Sequence, residues 1–184
     1  MSNHRRDFLK SAAAAGVVAA TETRAATGTL PAVKLGKYQV TRLIAGSNPI
    51  YGFSHFNRLY SQHMRDYHTQ ERVVEFLKSL EANGINTWQA SFQERTGPDL
   101  AQFREQGGKL HWVCLCGPQF LDNPALLKTA AGYKPIAMVQ HGQITERTWR
   151  AGEFQKSRDF LKRIRDLGAM VGVSAHNPEV LDKV

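Results

Sequence analysis

Residues 135–173 read PIAMVQHGQITERTWRAGEFQKSRDFLKRIRDLGAMVGV, and their pattern decides the fold class. The stretch begins with an apolar strand pattern, Pro135 to Gln140, and ends with another, Ala169 to Val173. Between them, residues 153–167 carry apolar side chains at helical spacing, and Gly168 ends the helix because glycine tolerates a left-handed backbone. Strand, helix and strand in this order are typical of a parallel β-α-β unit.

The same alternation runs through the preceding part of the chain. Strands are predicted at Val40 to Ala45, Ile85 to Trp88 and Leu110 to Leu115, and helices at Glu71 to Ala82 (capped by Thr69, ended by Asn83-Gly84), Pro98 to Glu105, Pro124 to Ala131 and from Pro178 onward. Strict alternation predicts a parallel sheet covered by helices, which an open doubly wound sheet and a closed (β/α)8 barrel both satisfy.

One observation favours the barrel, and the length of the chain indicates that the barrel is truncated. The residues after the first predicted parallel strand, Ala45 to Pro49, lack the glycine-rich phosphate loop of dinucleotide-binding sheets. A full barrel needs about 200 residues or more, and this sequence of 184 residues has five predicted strands. We therefore predict a (β/α)8 TIM-type barrel truncated after about the fifth strand, with sheet edges left unpaired.

The N-terminus carries an export signal. His4 to Lys10 is basic, and the ten residues after it are almost purely small and apolar. The pair Arg5-Arg6 before Phe8-Leu9-Lys10 resembles the twin-arginine signal, which is read by a pathway for folded proteins. We assign residues 1–25 as signal peptide, cleaved after Ala20 or Ala25, and residues 26–184 as the N-terminal part of one barrel domain. The expected location is periplasmic or secreted in a bacterium, and the expected partner is the twin-arginine machinery.

Composition excludes several classes of protein. The net charge of the chain is +8, and residues 1–25 hold four basic and two acidic residues, so +6 remains after them. These basic residues are scattered rather than grouped, which argues against a nucleic-acid partner. No later stretch approaches the roughly 18 to 20 apolar residues of a membrane span. The only cysteines, Cys114 and Cys116, are too close together to form an easy disulfide.

Four segments resemble the aldo-keto reductase family and occur in the family's order. They are KLGKYQVTRLIAGSN (34–48), EANGINTWQAS (81–91), PIAMVQHG (135–142) and RIRDLGAMVGVSAHNPEVL (163–181). The resemblance implies a (β/α)8 barrel with a short hairpin before its first strand. It also implies a small-molecule carbonyl oxidoreductase that takes hydride from a nicotinamide cofactor, NADP.

The catalytic groups of that family carry over only in part. Its reductases use a tyrosine, a lysine, an aspartate and a histidine, and His141 matches the histidine. Gln89 stands where the aspartate is expected, Glu94 lies near the tyrosine position, and the third strand offers cysteines in place of the lysine. Ser174 matches the serine that holds the nicotinamide amide, but Ala175 replaces its asparagine partner. The resemblance thus implies a changed active site in which His141 and Gln89 are the catalytic candidates.

Residues at the carboxyl ends of the strands supply the binding candidates, because barrel active sites lie there. Residues 47–69 are predicted to be one long loop, either a binding lid or a surface loop that packs its own aromatic residues. Rings, amides and histidines suit a sugar-like ligand, and the substrate-binding candidates are Asn48, Tyr51, His55, Trp88 and Gln140. His141 and His176 follow adjacent strands and are a candidate pair for a divalent metal.

The sequence therefore leaves three functions open. The first is an exported oxidoreductase acting on a carbonyl or sugar-like compound. The second is a metal-assisted isomerase or hydrolase of sugars, and the third is a non-catalytic ligand-binding barrel. All three take a small molecule as partner.

Overall fold

The computed structural model describes residues 29–184. The predicted signal peptide and both of its cleavage sites lie outside the described residues. The described chain opens with an antiparallel hairpin of β1 (Ala32–Leu35) and β2 (Tyr38–Thr41), the hairpin that the family resemblance implies. Gly36 turns the hairpin at φ +57°, a conformation that costs glycine no steric strain.

Four parallel strands form the sheet. They are β3 (Thr87–Ser91), β4 (His111–Cys116), β5 (Ala137–Gln140) and β6 (Met170–Val173), and they pair in chain order. Ala45 adds a single parallel bridge to Trp88 beyond β3. Strands whose spatial order follows the chain order require every connection to cross in the same direction.

Eight helices alternate with these strands in the described part of the chain. They are α1 (Arg58–Tyr67), α2 (Gln70–Ala82), α3 (Thr96–Glu105), α4 (Gln119–Asp122), α5 (Ala125–Gly132), α6 (Gly142–Arg150), α7 (Phe154–Asp166) and α8 (Pro178–Leu181). No helix among residues 29–184 has the length and apolar character needed to cross a bilayer. The result is a mixed α/β fold with a parallel sheet.

The main core lies between the sheet and its helices. Trp88, Trp112, Cys114 and Met138 are fully buried on this face. They pack with an apolar stripe of α2 (Val73, Val74, Leu77 and Leu80) and with the helix residues Phe103, Phe160 and Ile164. Burying each large apolar side chain contributes about 1.5–3 kcal/mol, so this layer holds the strands in register. The side chains of Cys114 and Cys116 belong to this layer, with their sulfur atoms 3.8 Å apart as free thiols.

The other face of the sheet is only half covered. Val40 of the hairpin packs with Val113, Ile136 and Ala137 over the amino-terminal part of this face. Toward the carboxyl ends of the strands, Gln89, Leu115 and Val139 remain partly exposed. This uncovered part of the sheet is where a ligand could enter.

Helix boundaries agree with the sequence signals where those signals are local. The Thr69 hydroxyl accepts from the backbone N–H of Arg72 at 3.5 Å, and Gly84 follows the end of α2 at φ +77°. Both features were predicted. Strands β3 to β6 lie within two residues of their predicted starts, a shift typical of pattern-based boundaries.

Three predictions about elements were wrong. The strand predicted at Val40 to Ala45 is split, because the Thr41 hydroxyl donates to Leu43 O (2.8 Å) and the chain turns away from the hairpin there. The long loop at 47–69 contains α1, which begins where the Asn57 side chain accepts from the Tyr60 N–H at 2.7 Å. The sequence analysis predicted no helix at α6, which begins two residues after the end of β5. The parallel sheet is open within residues 29–184, and the truncated barrel stays a prediction.

Candidate functional site

A cavity of about 890 Å³ lies on the open face of the sheet, at the carboxyl ends of the strands. Its wall combines the segment after Ala45 with the residues that follow β3, β4, β5 and β6. The residues lining it are Ile44, Ala45, Gly46, Ser47, Asn48, Pro49, Phe53, His55, Gln89, Ser91, Gln93, Leu115, Gly117, Pro118, Gln119, His141, Gln143 and His176. Its size is that of a small-molecule site.

The cavity brings together five of the residues chosen from the sequence: Asn48, His55, Gln89, His141 and His176. Ser174 lies beside it, with its hydroxyl donating to Gln140 O at 3.1 Å. His141 therefore meets Gln89 and His176 at one cavity, as the convergence of parallel strand ends predicts.

Three other candidates lie on the opposite, helix-covered side of the sheet and do not line the cavity. Tyr51 donates its hydroxyl to Asp99 Oδ2 at 3.1 Å, and the Trp88 Nε1–H donates to Gly46 O at 3.3 Å. The Gln140 amide donates to Ser157 Oγ at 2.6 Å and to a threonine hydroxyl of α6. Successive residues on a strand face opposite sides, so when Gln89 faces the cavity its neighbour Trp88 cannot. The expectation that these three contact a substrate is not supported by their position.

The chemistry of the lining is uncharged apart from its histidines. Among the described residues, no lysine, arginine, aspartate, glutamate or tyrosine lines the cavity. Its polar groups are serines, histidines and the amides of Asn48, Gln89, Gln93, Gln119 and Gln143. Sequence reasoning missed the last three, although Gln93 follows the end of β3 and Gln119 begins the first helix after β4.

Two of these amides are held by the protein itself. The Asn48 side-chain nitrogen lies 3.2 Å from His55 Nε2, and the Gln119 amide donates to Phe92 O at 3.2 Å. His55 adopts φ +56°, a left-handed conformation that non-glycine residues seldom take and that is enriched at ligand-binding segments. The contact with Asn48 therefore fixes a strained residue at the cavity rim.

His141 is the N-cap of α6, and this contact fixes its tautomer. Its Nδ1 accepts from the backbone N–H of Gln143 at 3.0 Å, so the proton of the neutral ring resides on Nε2. Burial, together with the nearby His176, lowers the pKa of His141 below 6.5, while Glu146 opposes the shift. The ring is therefore neutral near pH 7 and offers an Nε2–H donor.

In His176 the two ring nitrogens have the opposite donor and acceptor roles. Its Nδ1 lies 2.6 Å from Glu146 Oε1, and its backbone N–H donates to the same oxygen at 2.7 Å. These two contacts hold the pKa of Glu146 below its usual range, so the carboxylate accepts and Nδ1 donates. The Nε2 of a neutral His176 is then a free acceptor at the cavity. Glu146 was not singled out from the sequence, because α6 itself was missed.

The donor set does not fit a divalent metal. A neutral histidine binds a metal through its unprotonated nitrogen, and in His141 that nitrogen already accepts the helix-capping bond. Residues 29–184 also contain no group of three or more histidine, cysteine or acidic side chains placed to share an ion.

The cavity does not fit a dinucleotide cofactor either. The Ser174 hydroxyl hydrogen is already donated to the backbone, and Ala175 has no amide to help it hold a nicotinamide. The nearby cations Arg147 and Arg150 line a separate depression on α6 rather than the cavity. Among the described lining residues there is no lysine or arginine to pair with a phosphate charge.

Comparison with known proteins identifies the N-terminus. Residues 2–21 match the family model of the TAT (twin-arginine translocation) pathway signal sequence. No curated protein and no solved structure matches the chain. The protein is thus exported through the twin-arginine pathway, to the periplasm or beyond the bacterial cell, as the sequence predicted.

Proposed function

We propose that this exported protein binds a neutral, hydroxyl- or carbonyl-bearing small molecule, such as a sugar or polyol, in the 890 Å³ cavity. The single observation that carries the proposal is the chemistry of the lining. Amide, hydroxyl and imidazole groups hydrogen-bond hydroxyls in both directions, and without a fixed countercharge a charged ligand would lose hydration with no compensation.

The strand order supports a barrel-type scaffold for this site. In a doubly wound sheet the strand order reverses at a switch point, whereas Ala45 and β3 to β6 follow one another without reversal. Helices on one face and a cavity at the carboxyl ends are the arrangement of one side of a (β/α)8 barrel. The likeness to aldo-keto reductases rests on this arrangement and on the four sequence segments.

We rank the oxidoreductase function lower, because only one of the four usual catalytic groups, His141, is present at the cavity in the described residues. Its test is the absorbance and mass spectrum of protein purified from its own compartment. Bound NADP would favour the oxidoreductase over the ligand-binding proposal.

Calorimetry with matched ligands tests the leading proposal. Xylitol and D-glucose are the neutral probes, and D-gluconate and D-glucosamine are their charged counterparts of similar size. We expect binding of a neutral probe and at least tenfold weaker binding of both charged ones. Gln89→Leu should weaken the neutral probe, and the matched change Gln62→Leu on exposed α1, outside the lining set, should not. Equal binding of charged and neutral probes would refute the proposal.

A further inference from the structure

We propose that His176, oriented by Glu146, is a general base at the cavity and that His141 is its hydrogen-bond-donating partner. The reaction class is proton transfer at the carbon next to a carbonyl, the interconversion of α-hydroxy aldehydes and ketones. This inference rests on the proposed function, since it requires that a neutral hydroxycarbonyl compound enters the cavity.

The first support is the fixed orientation of the His176 ring. Glu146 Oε1 receives both the ring Nδ1–H and the backbone N–H of His176, at 2.6 and 2.7 Å, so the ring cannot turn without losing a charge-assisted bond. A carboxylate that orients a histidine and stabilises its protonated form is the arrangement by which histidine bases are activated.

The second support is the neutral state of His141. Because its Nδ1 caps α6, its Nε2–H must point away from the helix, and the ring lines the same cavity as His176. A neutral imidazole at a helix N-terminus can polarise a carbonyl by donating a hydrogen bond, without giving up its proton.

The step balances without a cofactor. His176 Nε2 takes the proton from the hydroxyl-bearing carbon next to the carbonyl. The C–H electron pair forms a carbon–carbon double bond, and the carbonyl π electrons move to oxygen, where the His141 Nε2–H donates. The proton on His176 then returns to the former carbonyl carbon, while the hydroxyl proton passes to the enediolate oxygen. No oxidant, reductant or metal takes part.

Deuterium exchange measures this step directly. The purified exported protein is incubated with dihydroxyacetone in D2O, and loss of the C–H signal is followed by proton NMR. We expect catalysed exchange that EDTA does not affect. His176→Asn should slow it about 100-fold or more, the usual contribution of a general base. His63→Asn, an exposed histidine of α1 outside the cavity lining, is the matched control and should exchange at the parent rate.

A second readout separates positioning from simple structural loss. In the parent, 15N shifts of the imidazoles should show the Nε2–H tautomer for His141 and the Nδ1–H tautomer for His176. Glu146→Gln should change the His176 signals and slow exchange by about tenfold or more, while binding of dihydroxyacetone, measured by saturation transfer, persists. Reversed tautomers, or binding without exchange, would overturn this inference and leave the proposed function standing. Failure of dihydroxyacetone to bind would overturn this inference, and failure of xylitol and D-glucose to bind as well would overturn both.

Discussion

Replacing Tyr51 by phenylalanine removes one oxygen atom from the contact that fixes the cavity-lining segment to the helix layer. The Tyr51 hydroxyl donates to Asp99 Oδ2 at 3.1 Å, and both side chains are buried. Asp99 Oδ1 has no partner among the described residues, and Arg95 approaches Oδ2 only to 3.6 Å. Ser47, Asn48 and Pro49 of the cavity wall immediately precede this anchor.

The expected loss of stability follows from the hydrogen bond that Asp99 loses. A buried acceptor that loses its donor costs about 1–3 kcal/mol, and a charged one lies toward the upper end. In a domain of this size such a loss lowers the Tm by about 2 to 12 °C. Urea denaturation of the Tyr51→Phe variant, followed by tryptophan fluorescence, measures it, since the Trp88 ring is 6.4 Å from that of Tyr51.

The loss should depend on pH. Burial raises the pKa of Asp99 above its ordinary 3.8, while Arg95 and the Tyr51 hydroxyl hold it down. Without the hydroxyl the pKa of Asp99 in the folded state rises further. Because the pKa of Asp99 is higher in the folded than in the unfolded state, its contribution to the free energy of unfolding is full below pH 3.8 and is lost as the pH rises through the folded pKa. The deficit of the variant should therefore be largest at neutral pH and shrink toward pH 4.

The matched control is Tyr60→Phe, at an exposed tyrosine of α1, which should stay within about 0.5 kcal/mol of the parent. A Tyr51→Phe variant as stable as the Tyr60→Phe control at pH 7 would refute the anchoring role of the Tyr51–Asp99 contact. A deficit that does not change with pH would refute the part assigned to the carboxylate.

Three further predictions concern export, the thiols and the helix cap. Lysine at both Arg5 and Arg6 should leave the protein in the cytoplasm, and unchanged export in a fractionation assay would contradict the pathway. Cys114 and Cys116 are fully buried, and burial raises the pKa of Cys114, so a thiol reagent should label both only after denaturation; labelling of the native protein would be the contrary result. His141→Ala should cost about 0.5–2 kcal/mol at pH 7.5 through loss of the α6 cap. Because the pKa of His141 is lowered from 6.5, this stability is present above pH 6.5 and fades below it, and an equal cost in urea at pH 5 would contradict the cap.

The sequence predicted the fold where the signals are local and periodic. The apolar stripe of α2, its threonine cap and the glycine after it specify that helix without help from distant residues. Helix α1 contains no buried residue, so its position does not follow from core packing, and the Asn57 cap marks its start. Helix α6 is capped by a histidine, a residue type that cap preferences do not favour.

The site was predicted in part because strand ends converge whatever their sequence. That geometric rule placed His141, Gln89 and His176 at one cavity. It does not say which face of the sheet each strand residue takes, so the buried Trp88 and Gln140 were chosen together with their cavity-lining neighbours Gln89 and His141. The contact of Glu146 with His176 spans 30 residues, and no local pattern encodes it.

The central claim is that the cavity at the carboxyl ends of the strands takes a neutral polar ligand. A crystal structure of the protein soaked with the neutral probe that binds most tightly tests it most directly. We predict density for one molecule within hydrogen-bond distance of Gln89, His141 and His176. A ligand bound elsewhere, against exposed α1 or in the depression lined by Arg147 and Arg150, with the cavity holding only water, would contradict the account.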